Sequence, residues 1–363
     1  MSDVINFTRG VPADESFPLD QLAECASAII TGPLGVQVMQ YGKSFGFPPL
    51  REVLAERHGV GVEQVMVANG SLQFLDFVGL ALLEPGDTVY VESPTYDRAI
   101  TLFRRHRANV VGIPLHPDGP DMEALEAALR RQPPKLFYVI VDFQNPSGAT
   151  ASLEKRRRLA ELAEEYGFWL LEDAPYRPLR YRGESLPSLY DLAPGRTLQL
   201  SSFTKQISPG VRVGYVVGDG DVIRRLAKVA EDTYITPNVI GQGIVYEFCR
   251  RGWLEPQLER LRALYGPRLE AVCDALRQEL PDAEWVEPDG GFFVSVTLPP
   301  GVTNEALRRA AAERGLVLSD GRGFFPNPAD GERFVRLPFC ALSPERLREG
   351  VRRLAGALRD VVA

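Results

Sequence analysis

The sequence predicts an α/β fold in which a mainly parallel β-sheet is covered by helices and joined to a smaller α+β domain. Between about residue 60 and residue 217, short apolar segments alternate with amphipathic ones. The apolar segments lack polar alternation, which is typical of strands buried on both faces of a parallel sheet. Near residue 234 the alternation stops and a long helical pattern begins, which indicates a second domain.

The elements of the first part can be assigned in order. A helical pattern starts at a Gly-Ser turn and covers residues 71–82. A second helix has Ser152 as a suitable N-cap, apolar residues that recur on one face, and Gly167 as a typical C-terminal stop. Four strands are predicted, at residues 88–92, 135–142, 168–173 and 197–200.

After residue 238 the pattern is that of a smaller α+β unit. A helical stretch rich in Leu, Arg and Glu covers residues 254–280, and strand-like segments follow at 291–296 and 334–337. The proline-containing N-terminal segment looks extended, and we expect it to pack on this smaller unit. The expected division is an N-terminal segment over 1–40, a large domain over 41–238 and a small domain over 239–363.

Composition and charge exclude several classes of protein. The 363-residue chain is 45% hydrophobic and 25% charged, as in ordinary soluble globular proteins. Its net charge of −7 argues against nucleic-acid binding, which needs a basic face. A membrane protein is not expected, because no apolar run approaches membrane-spanning length, and no signal peptide is evident. A basic run at 155–158 lies within a predicted helix, and we expect it to form a solvated face.

Cysteine and histidine spacing argues against a bound metal. The three histidines form no ligand-like spacing with the four cysteines. Scattered cysteines in a chain of this size are typical of buried thiols in a reducing compartment, so we expect a cytoplasmic location and no disulfide framework. The cysteines are Cys25, Cys249, Cys273 and Cys340.

The stretch from Ser201 to Tyr215 carries the most specific chemical signal. Lys205 lies among small hydroxyl residues, and Arg212 follows a Pro-Gly turn. Hydroxyls with a forked guanidinium behind them suit a phosphate group. Nearby positive charge and partial burial favour the neutral form of a lysine, which can form an imine with a carbonyl cofactor. Together these features point to pyridoxal 5'-phosphate, although a lone lysine is more often a surface charge.

Polar residues follow three of the four predicted strands. Asn145 comes after the second strand, Asp173 ends the third, and Lys205 follows the fourth. Because ligands bind beyond the carboxyl ends of parallel strands, we expect the three to converge on one rim of the sheet. Taken singly, Asn-Pro-Ser-Gly at 145–148 reads as an ordinary turn and Asp173 as a helix N-cap.

Two further features fit a planar, phosphorylated ligand. The helix that starts near Ser71 and Leu72 offers free backbone N–H groups and a favourable dipole, which suit an anion. Tyr96, which follows the first strand, has a ring that can stack on a flat ligand, although an aromatic residue there is as easily part of the core.

Taken in order, these motifs resemble those of fold-type-I pyridoxal-phosphate enzymes, and most of all the class I/II aminotransferases. The resemblance covers nearly the whole chain and implies a seven-stranded, mainly parallel sheet between helices. Within the family, the chain is most similar to the branch of 2-aminoadipate, branched-chain and aromatic aminotransferases. The matching motifs are G-S-x-Q at 70–73, E-S-P-T-Y at 92–96, N-P-S-G at 145–148, D-A-P-Y at 173–176, S-x-x-K-x-x-x-P-G-x-R-x-G-Y at 202–215 and R-x-P-F at 336–339.

The resemblance implies roles around the cofactor. Lys205 would form the aldimine and shuttle the proton, and Asp173 would keep the pyridine nitrogen protonated. Asn145 and Tyr176 would hold the phenolic oxygen, and Tyr96 would stack on the ring. The phosphate would be bound by the amides of Ser71 and Leu72, by Ser202, Thr204 and Arg212, and by Tyr41 of the neighbouring subunit.

The resemblance also implies how a substrate would bind. Arg336 would grip the α-carboxylate through a two-point bridge. Asn145 and Gly10 match positions near the substrate. Arg9, which directly precedes Gly10, is either a ligand of a side-chain carboxylate or an ordinary surface arginine.

The implied reaction transfers an α-amino group from an L-amino acid to a 2-oxo acid, with 2-oxoglutarate as the expected acceptor, by a ping-pong mechanism. We expect a homodimer with shared active sites, because family sites are completed across the subunit interface. Two alternatives stay open: a C–S lyase, which would use the same cofactor residues, and a non-catalytic ligand sensor. A nicotinamide dehydrogenase is not supported, since no G-x-G-x-x-G joins a strand to a helix in the first half of the chain.

Overall fold

In a computed structural model of the protein, residues 4–362 are described and form thirteen α-helices and thirteen β-strands. The helices are α1 Leu19–Thr31, α2 Gly35–Met39, α3 Pro48–His58, α4 Ser71–Leu82, α5 Asp97–Arg105, α6 Met122–Arg131, α7 Leu153–Tyr166, α8 Leu189–Leu192, α9 Gly220–Tyr234, α10 Val239–Arg250, α11 Leu254–Glu279, α12 Asn304–Glu313 and α13 Pro344–Val362. The strands are β1 Ile5–Phe7, β2 Val65–Ala68, β3 Thr88–Ser93, β4 Asn109–His116, β5 Gly119–Pro120, β6 Leu136–Val139, β7 Trp169–Asp173, β8 Thr197–Ser202, β9 Gly214–Val217, β10 Glu284–Trp285, β11 Phe293–Thr297, β12 Leu316–Leu318 and β13 Phe334–Pro338.

The large sheet has the strand order β2-β9-β8-β7-β6-β3-β4-β5. The five strands from β8 to β4 run parallel, while β9 is antiparallel to both neighbours. On β3, Val89 and Val91 pack into one hydrophobic cluster and Tyr90 into another, so both faces of the sheet are covered. The prediction of a mainly parallel, helix-covered sheet is confirmed. The two-residue strand β5 turns back on β4 and adds an eighth strand to the expected seven.

A smaller antiparallel sheet of β10, β11 and β13 forms the second part of the fold. Helix α13 packs against α11 and α12 beside it. The N-terminal strand β1 runs parallel to β12, with Ile5 opposite Leu316, so the start of the described chain lies with the C-terminal elements. Helix α10, in contrast, packs on α1 and α3.

The predicted helix that follows Ser152 is confirmed as α7. The Ser152 side chain accepts a hydrogen bond from the amide of Lys155, and Gly167 adopts a left-handed conformation with φ of +72°. The long helix α11 also matches its prediction. Of the helices between residues 4 and 362, none combines the length and the apolar composition needed to cross a membrane.

The expectation of a solvated face over residues 155–158 is wrong for Arg156. This side chain is fully buried and donates hydrogen bonds to Asp142 and to the carbonyls of Val141, Ala151 and Pro187. Position 156 lies on the core-facing side of α7, three and seven positions before buried residues of the same helix. Buried carbonyls need donors, and the guanidinium supplies them where an apolar side chain would not.

Asp142 ties the ends of β6 and β7 together. Its carboxylate is 2% exposed and accepts hydrogen bonds from Arg156 at 2.7 Å, Arg177 at 2.9 Å and Arg180 at 3.5 Å. Burial opposes ionisation, but the hydrogen bonds and charges of the arginines outweigh it, so the pKa of Asp142 is lowered. Because Arg177 and Arg180 lie in the loop after β7, the cluster holds in place the segment that starts at Asp173.

Replacing Asp142 with alanine should lower the free energy of unfolding by about 3–5 kcal/mol, because it leaves Arg156 buried without a counter-charge. The control is Arg158→Ala, on the same helix α7 as Arg156, which removes partly exposed ion pairs with Glu126 and Glu161. It should lower the free energy of unfolding by less than about 1 kcal/mol. Urea unfolding of both variants at one protein concentration measures the difference. Equal losses would contradict a structural role for the buried cluster.

Candidate active site

The carboxyl ends of β6, β7 and β8 open onto one cavity of about 490 Å³. Asn145 lies in the turn after β6, Asp173 is the last residue of β7, and Lys205 lies just beyond β8. Adjacent parallel strands end at the same sheet edge, which is why residues far apart in the sequence meet here. The N-terminal segment 8–12 forms another part of the lining.

Asp173 is a buried carboxylate with one oxygen unpaired. Its Oδ2 accepts a hydrogen bond of 2.7 Å from the hydroxyl of Tyr138, whereas Oδ1 is buried without a partner among the described residues. Burial raises the pKa of Asp173 to about 6, although the bond from Tyr138 acts to lower it. A loop follows this residue, so it caps no helix. Since a buried acceptor without a donor is costly, Oδ1 marks the place of a donor that the described residues do not provide.

Lys205 lines the same cavity and is partly buried. Its Nζ donates a hydrogen bond of 2.9 Å to the backbone oxygen of Gly10 and lies 5.1 Å from the ring centre of Phe292. Burial lowers the pKa of Lys205 to about 8, and the positive charge of Arg336 adds to this effect. The amine therefore reaches its neutral, nucleophilic form closer to physiological pH than an ordinary lysine does.

One end of the cavity is suited to an anion. Helix α4 begins at Ser71, so its first N–H groups have no partner within the helix, and both Ser71 and Leu72 line the cavity. The guanidinium of Arg212 is held by a hydrogen bond of 2.9 Å to a carbonyl of the turn before α4. The hydroxyl oxygens of Ser202 and Thr204 lie 2.8 Å apart beside it in the lining. Amides, hydroxyls and a guanidinium are together the donors that a phosphate requires.

Two glycines leave the space for this anion-binding end. A Cβ atom at Gly70 would lie 2.5 Å from Nη2 of Arg212, and one at Gly214 would lie 2.3 Å from the amide nitrogen of Ser71. Gly70 also has a φ of +105°, a conformation that favours glycine. A larger residue at either position would displace the arginine or the start of the helix.

Arg336, on β13, lines the cavity from the smaller sheet. Its Nη1 donates a hydrogen bond of 3.0 Å to Oδ1 of Asn145, and Nη2 donates one of 2.8 Å to the backbone oxygen of Thr8. The guanidinium carbon lies 4.8 Å and 4.5 Å from the ring centres of Phe293 and Phe324. Its Nε is buried without a partner among the described residues, so the guanidinium keeps a donor for a carboxylate.

A buried network holds the turn that carries Asn145. Glu92 accepts hydrogen bonds from the amide of Ile140 at 3.1 Å and from the side chain of Gln144 at 3.0 Å. Oε1 of Gln144 in turn accepts from the amide and the hydroxyl of Ser147. Burial raises the pKa of Glu92 to about 8. The Asn-Pro-Ser-Gly motif is therefore a buried, internally bonded turn and not an ordinary surface turn.

Of the site residues predicted from the sequence, only Tyr41 lies outside this cavity. Tyr41 is 75% exposed at the surface of the chain. Burial raises the pKa of Tyr96 to about 12 and raises that of Tyr176 further. The predicted residues that line the cavity are Arg9, Gly10, Ser71, Leu72, Tyr96, Asn145, Asp173, Tyr176, Ser202, Thr204, Lys205, Arg212 and Arg336.

Two contributors to the site were missed from the sequence. Tyr138 lies inside β6 and holds Asp173, and a polar hydroxyl in an otherwise apolar buried strand was the available signal, because it needs a partner. The backbone oxygen of Thr8 holds Arg336, and no sequence signal could have identified it, because every residue has a carbonyl.

A second cavity, of about 660 Å³, lies beside the smaller sheet. Its lining includes Trp285, Phe325 and Phe334. It contains none of the predicted site residues and no lysine, so chemistry and not size identifies the first cavity as the candidate active site.

A family model for aminotransferases of class I and II matches residues 2–354. The chain belongs to the class I and II aminotransferase family. This aminotransferase is 37% identical to the 2-aminoadipate transaminase of Thermus thermophilus, over 99% of its own length and 91% of the relative. It is 34% identical to the aromatic-amino-acid aminotransferase 1 of Thermococcus litoralis, over 99% of its own length and 89% of that relative.

The solved structures lead to the same family. The aminotransferase matches the crystal structure of an α-aminoadipate aminotransferase from Thermus thermophilus, complexed with N-(5'-phosphopyridoxyl)-L-leucine, with a TM-score of 0.94 and 35% identity. The match covers 99% of this chain and 93% of that one. The family and the fold-type-I architecture predicted from the sequence are both confirmed.

Replacing Asp173 with asparagine should stabilise the ligand-free protein more at pH 8 than at pH 5. Because its pKa is raised to about 6, the folded state favours the protonated carboxyl, and this contribution to stability is lost as pH rises through 6. Asparagine carries no charge at either pH. The free energy of unfolding of Asp173→Asn, relative to that of wild type, should therefore increase by about 1–2 kcal/mol between pH 5 and pH 8. Urea unfolding measures this difference.

The matched control is Asp282→Asn, which changes an exposed carboxylate. Its free energy of unfolding should differ from that of wild type by the same amount at both pH values. A constant difference between Asp173→Asn and wild type across this range would contradict the burial of an uncompensated carboxylate.

Proposed function

We propose that this cavity is the active site of the aminotransferase, with Lys205 as its reactive amine and Asp173 as the partner of the ring nitrogen of the cofactor. The chain is an aminotransferase, and its cofactor is pyridoxal 5'-phosphate. One observation carries the assignment of residues: a buried carboxylate oxygen without a donor and a partly buried amine belong to the same cavity.

The charges of the cavity fit this cofactor. Arg98 in the lining pairs with Asp97 at 3.8 Å. The other cations of the lining have no carboxylate within 4.0 Å among the described residues: Arg9, Lys205, Arg212 and Arg336. A phosphate at the anion-binding end and a substrate carboxylate at Arg336 would supply the missing anions. A protonated ring nitrogen would supply the donor that Oδ1 of Asp173 lacks.

The groups that would hold the cofactor are those implied by the resemblance. We assign the phosphate to the α4 end and its hydroxyl and guanidinium donors, and the ring face to Tyr96. Asn145 and Tyr176 would hold the phenolic oxygen, both lying in the same lining. The proposed phosphate ligands are Ser71, Leu72, Ser202, Thr204, Arg212 and, from a second subunit, Tyr41.

The protein's own part in the reaction is proton transfer. When bound, pyridoxal 5'-phosphate supplies an aldehyde that takes up the amino group and a cationic ring that withdraws electrons from the α-carbon. Nζ of Lys205 accepts the proton from the α-carbon, which its lowered pKa of about 8 favours. The backbone oxygen of Gly10, 2.9 Å from Nζ, can hold the protonated amine in place.

Substrate binding is assigned to the groups around Arg336. Its guanidinium would bind the α-carboxylate, with Asn145 keeping it oriented through the bond of 3.0 Å. Gly10 leaves room for this arrangement, because a Cβ atom there would lie 2.3 Å from the ring of Phe293. Arg9 is exposed in the cavity lining, and we assign it to a side-chain carboxylate of the substrate.

We propose a ping-pong reaction in which an L-amino acid donates and 2-oxoglutarate accepts the amino group. Relatives named for 2-aminoadipate and for aromatic amino acids support donors with long side chains. A panel of amino donors with 2-oxoglutarate, scored by glutamate formed, tests this proposal. Release of pyruvate and ammonia without an acceptor would instead identify a C–S lyase.

Replacing Lys205 with alanine should leave a folded protein and lower the rate of amino transfer by at least about 10²–10⁴-fold, the usual contribution of general acid–base transfer. The control is Lys228→Ala, which removes an exposed lysine from α9 and should leave the rate unchanged. Glutamate formation measures the rate, and circular dichroism measures folding. Equal rates in the two variants would refute the assignment of Lys205.

We also propose a homodimer with shared active sites. Val36, Met39 and Tyr41 are 83%, 64% and 75% exposed, which is unusual for neighbouring large apolar side chains unless they form an interface. Tyr41 lies outside the cavity of its own chain, as a residue that serves the neighbouring site would.

Replacing Val36 with glutamate should therefore shift the protein towards monomers and weaken cofactor binding at least about tenfold, because the phosphate loses a donor from the second subunit. Val362→Glu introduces the same charge at an exposed position at the end of α13 and serves as the control. Analytical ultracentrifugation gives the oligomeric state. A wild type that sediments as a monomer would contradict the proposal.

For location, we propose the cytoplasm. The four cysteines are free thiols in the described part of the chain, and a reducing compartment keeps such thiols unpaired. Cell fractionation of the expressed protein tests this, and recovery from an oxidising compartment would contradict it.

A further inference from the structure

Among residues 4–362, Tyr138 is the one side chain that donates a hydrogen bond to the carboxylate of Asp173. It lies on β6, directly beside β7, and its side chain is fully buried. Its hydroxyl donates the hydrogen bond of 2.7 Å to Oδ2, whereas Oδ1 has no donor among the described residues. The tyrosine itself is fixed, since its ring packs edge-on against Phe103 with ring centres 6.2 Å apart.

Within the described chain, no lysine, arginine or histidine nitrogen lies within 4.0 Å of the carboxylate of Asp173, so no cation takes over the role of the hydroxyl. The titratable groups that face it are Tyr96, before α5, Tyr176, in the loop after β7, and Glu92, at the end of β3. Deprotonation of any of these groups would add negative charge, and burial favours the neutral form of all three. The hydroxyl of Tyr138 is therefore the only group of the described chain that stabilises the carboxylate of Asp173 by direct contact.

We propose that Tyr138 is a positioning residue of this active site: its hydroxyl fixes Oδ2 of Asp173 and favours the ionised carboxylate, so that Oδ1 is presented to the ring nitrogen of the cofactor. The inference rests on the proposed function of Asp173. It adds a residue on the neighbouring strand that acts through Asp173 and touches neither cofactor nor substrate in this assignment.

Two physical effects follow from one hydrogen bond. First, a carboxylate held at one oxygen cannot rotate freely, so the direction of the other oxygen is set before the ligand arrives. Second, a hydrogen bond to the charged form favours ionisation, and it opposes the effect of burial. A phenylalanine at position 138 keeps the ring and its packing but loses both effects, so Tyr138→Phe isolates the contribution of the hydroxyl.

The test is a double-mutant cycle on the affinity for pyridoxal 5'-phosphate between pH 5 and pH 9. The proteins compared are wild type, Tyr138→Phe, Asp173→Asn and the double variant. The cofactor's own titrations and its attachment to the enzyme are common to all four, so differences between them report on this pair of residues. Tyr90→Phe is the matched control, because Tyr90 is also buried and its hydroxyl also donates a bond of 2.7 Å, to the carbonyl of Gln132.

In wild type, affinity should fall as acid protonates Asp173. In Tyr138→Phe this fall should move to higher pH by about one unit, which makes binding about tenfold weaker within that range. In the Asp173→Asn background the same tyrosine substitution should have no effect, and Tyr90→Phe should match wild type. The rate of amino transfer by Tyr138→Phe should likewise begin to fall in acid at a pH about one unit higher than in wild type.

Two outcomes would overturn the inference. One is an unchanged pH dependence in Tyr138→Phe; the other is an equal loss of affinity in the wild-type and Asp173→Asn backgrounds, which indicates a merely structural effect. If Asp173→Asn itself binds the cofactor like wild type across the range, the assignment of Asp173 in the proposed function fails as well. The two failures are therefore distinguishable.

Discussion

The arrangement of the active site depends on a buried carboxylate that is left with one oxygen unpaired. Asp173 ends a central strand, flanked by β6 and β8, where water has little access. An ionised carboxylate in such a place is unfavourable unless hydrogen bonds or a cation compensate for burial. The described chain supplies one donor, from Tyr138, and leaves Oδ1 without another. The site thus lacks a donor at Oδ1, and in the proposed function a cationic ring nitrogen would supply it.

The remaining groups follow the same electrostatic logic. Burial raises the pKa of Asp173 and lowers that of Lys205. Both pKa values therefore move towards neutral pH, where the two groups can exchange protons. Arg212 and Arg336, which have no carboxylate partner among residues 4–362, lie in the same lining and suit the anionic groups of cofactor and substrate. The buried arginine cluster at Asp142 holds the segment after β7 without taking part in this chemistry.

The main features of the fold and the site follow from local rules that the sequence obeys. Apolar strand segments predict a parallel sheet buried on both faces. Because the carboxyl ends of such strands lie at one edge, they also predict that Asn145, Asp173 and Lys205 converge. The prediction for Arg156 is wrong because local charge patterning favours a solvated face, whereas the carbonyls of Val141, Ala151 and Pro187 determine where the side chain lies. These carbonyls come together only in the tertiary structure. The contact of Tyr138 with Asp173 likewise depends on the register of β6 and β7, which the sequence does not specify.

Reduction of the cofactor-loaded protein with borohydride, followed by mass analysis of its peptides, tests the central claim most directly. The chain has five lysines, so the outcome is easily assigned. If the cavity holds pyridoxal 5'-phosphate as described, the mass of the reduced cofactor should appear on the peptide that contains Lys205 and on no other. Its absence, or its attachment to Lys43, Lys135, Lys155 or Lys228, would contradict the account.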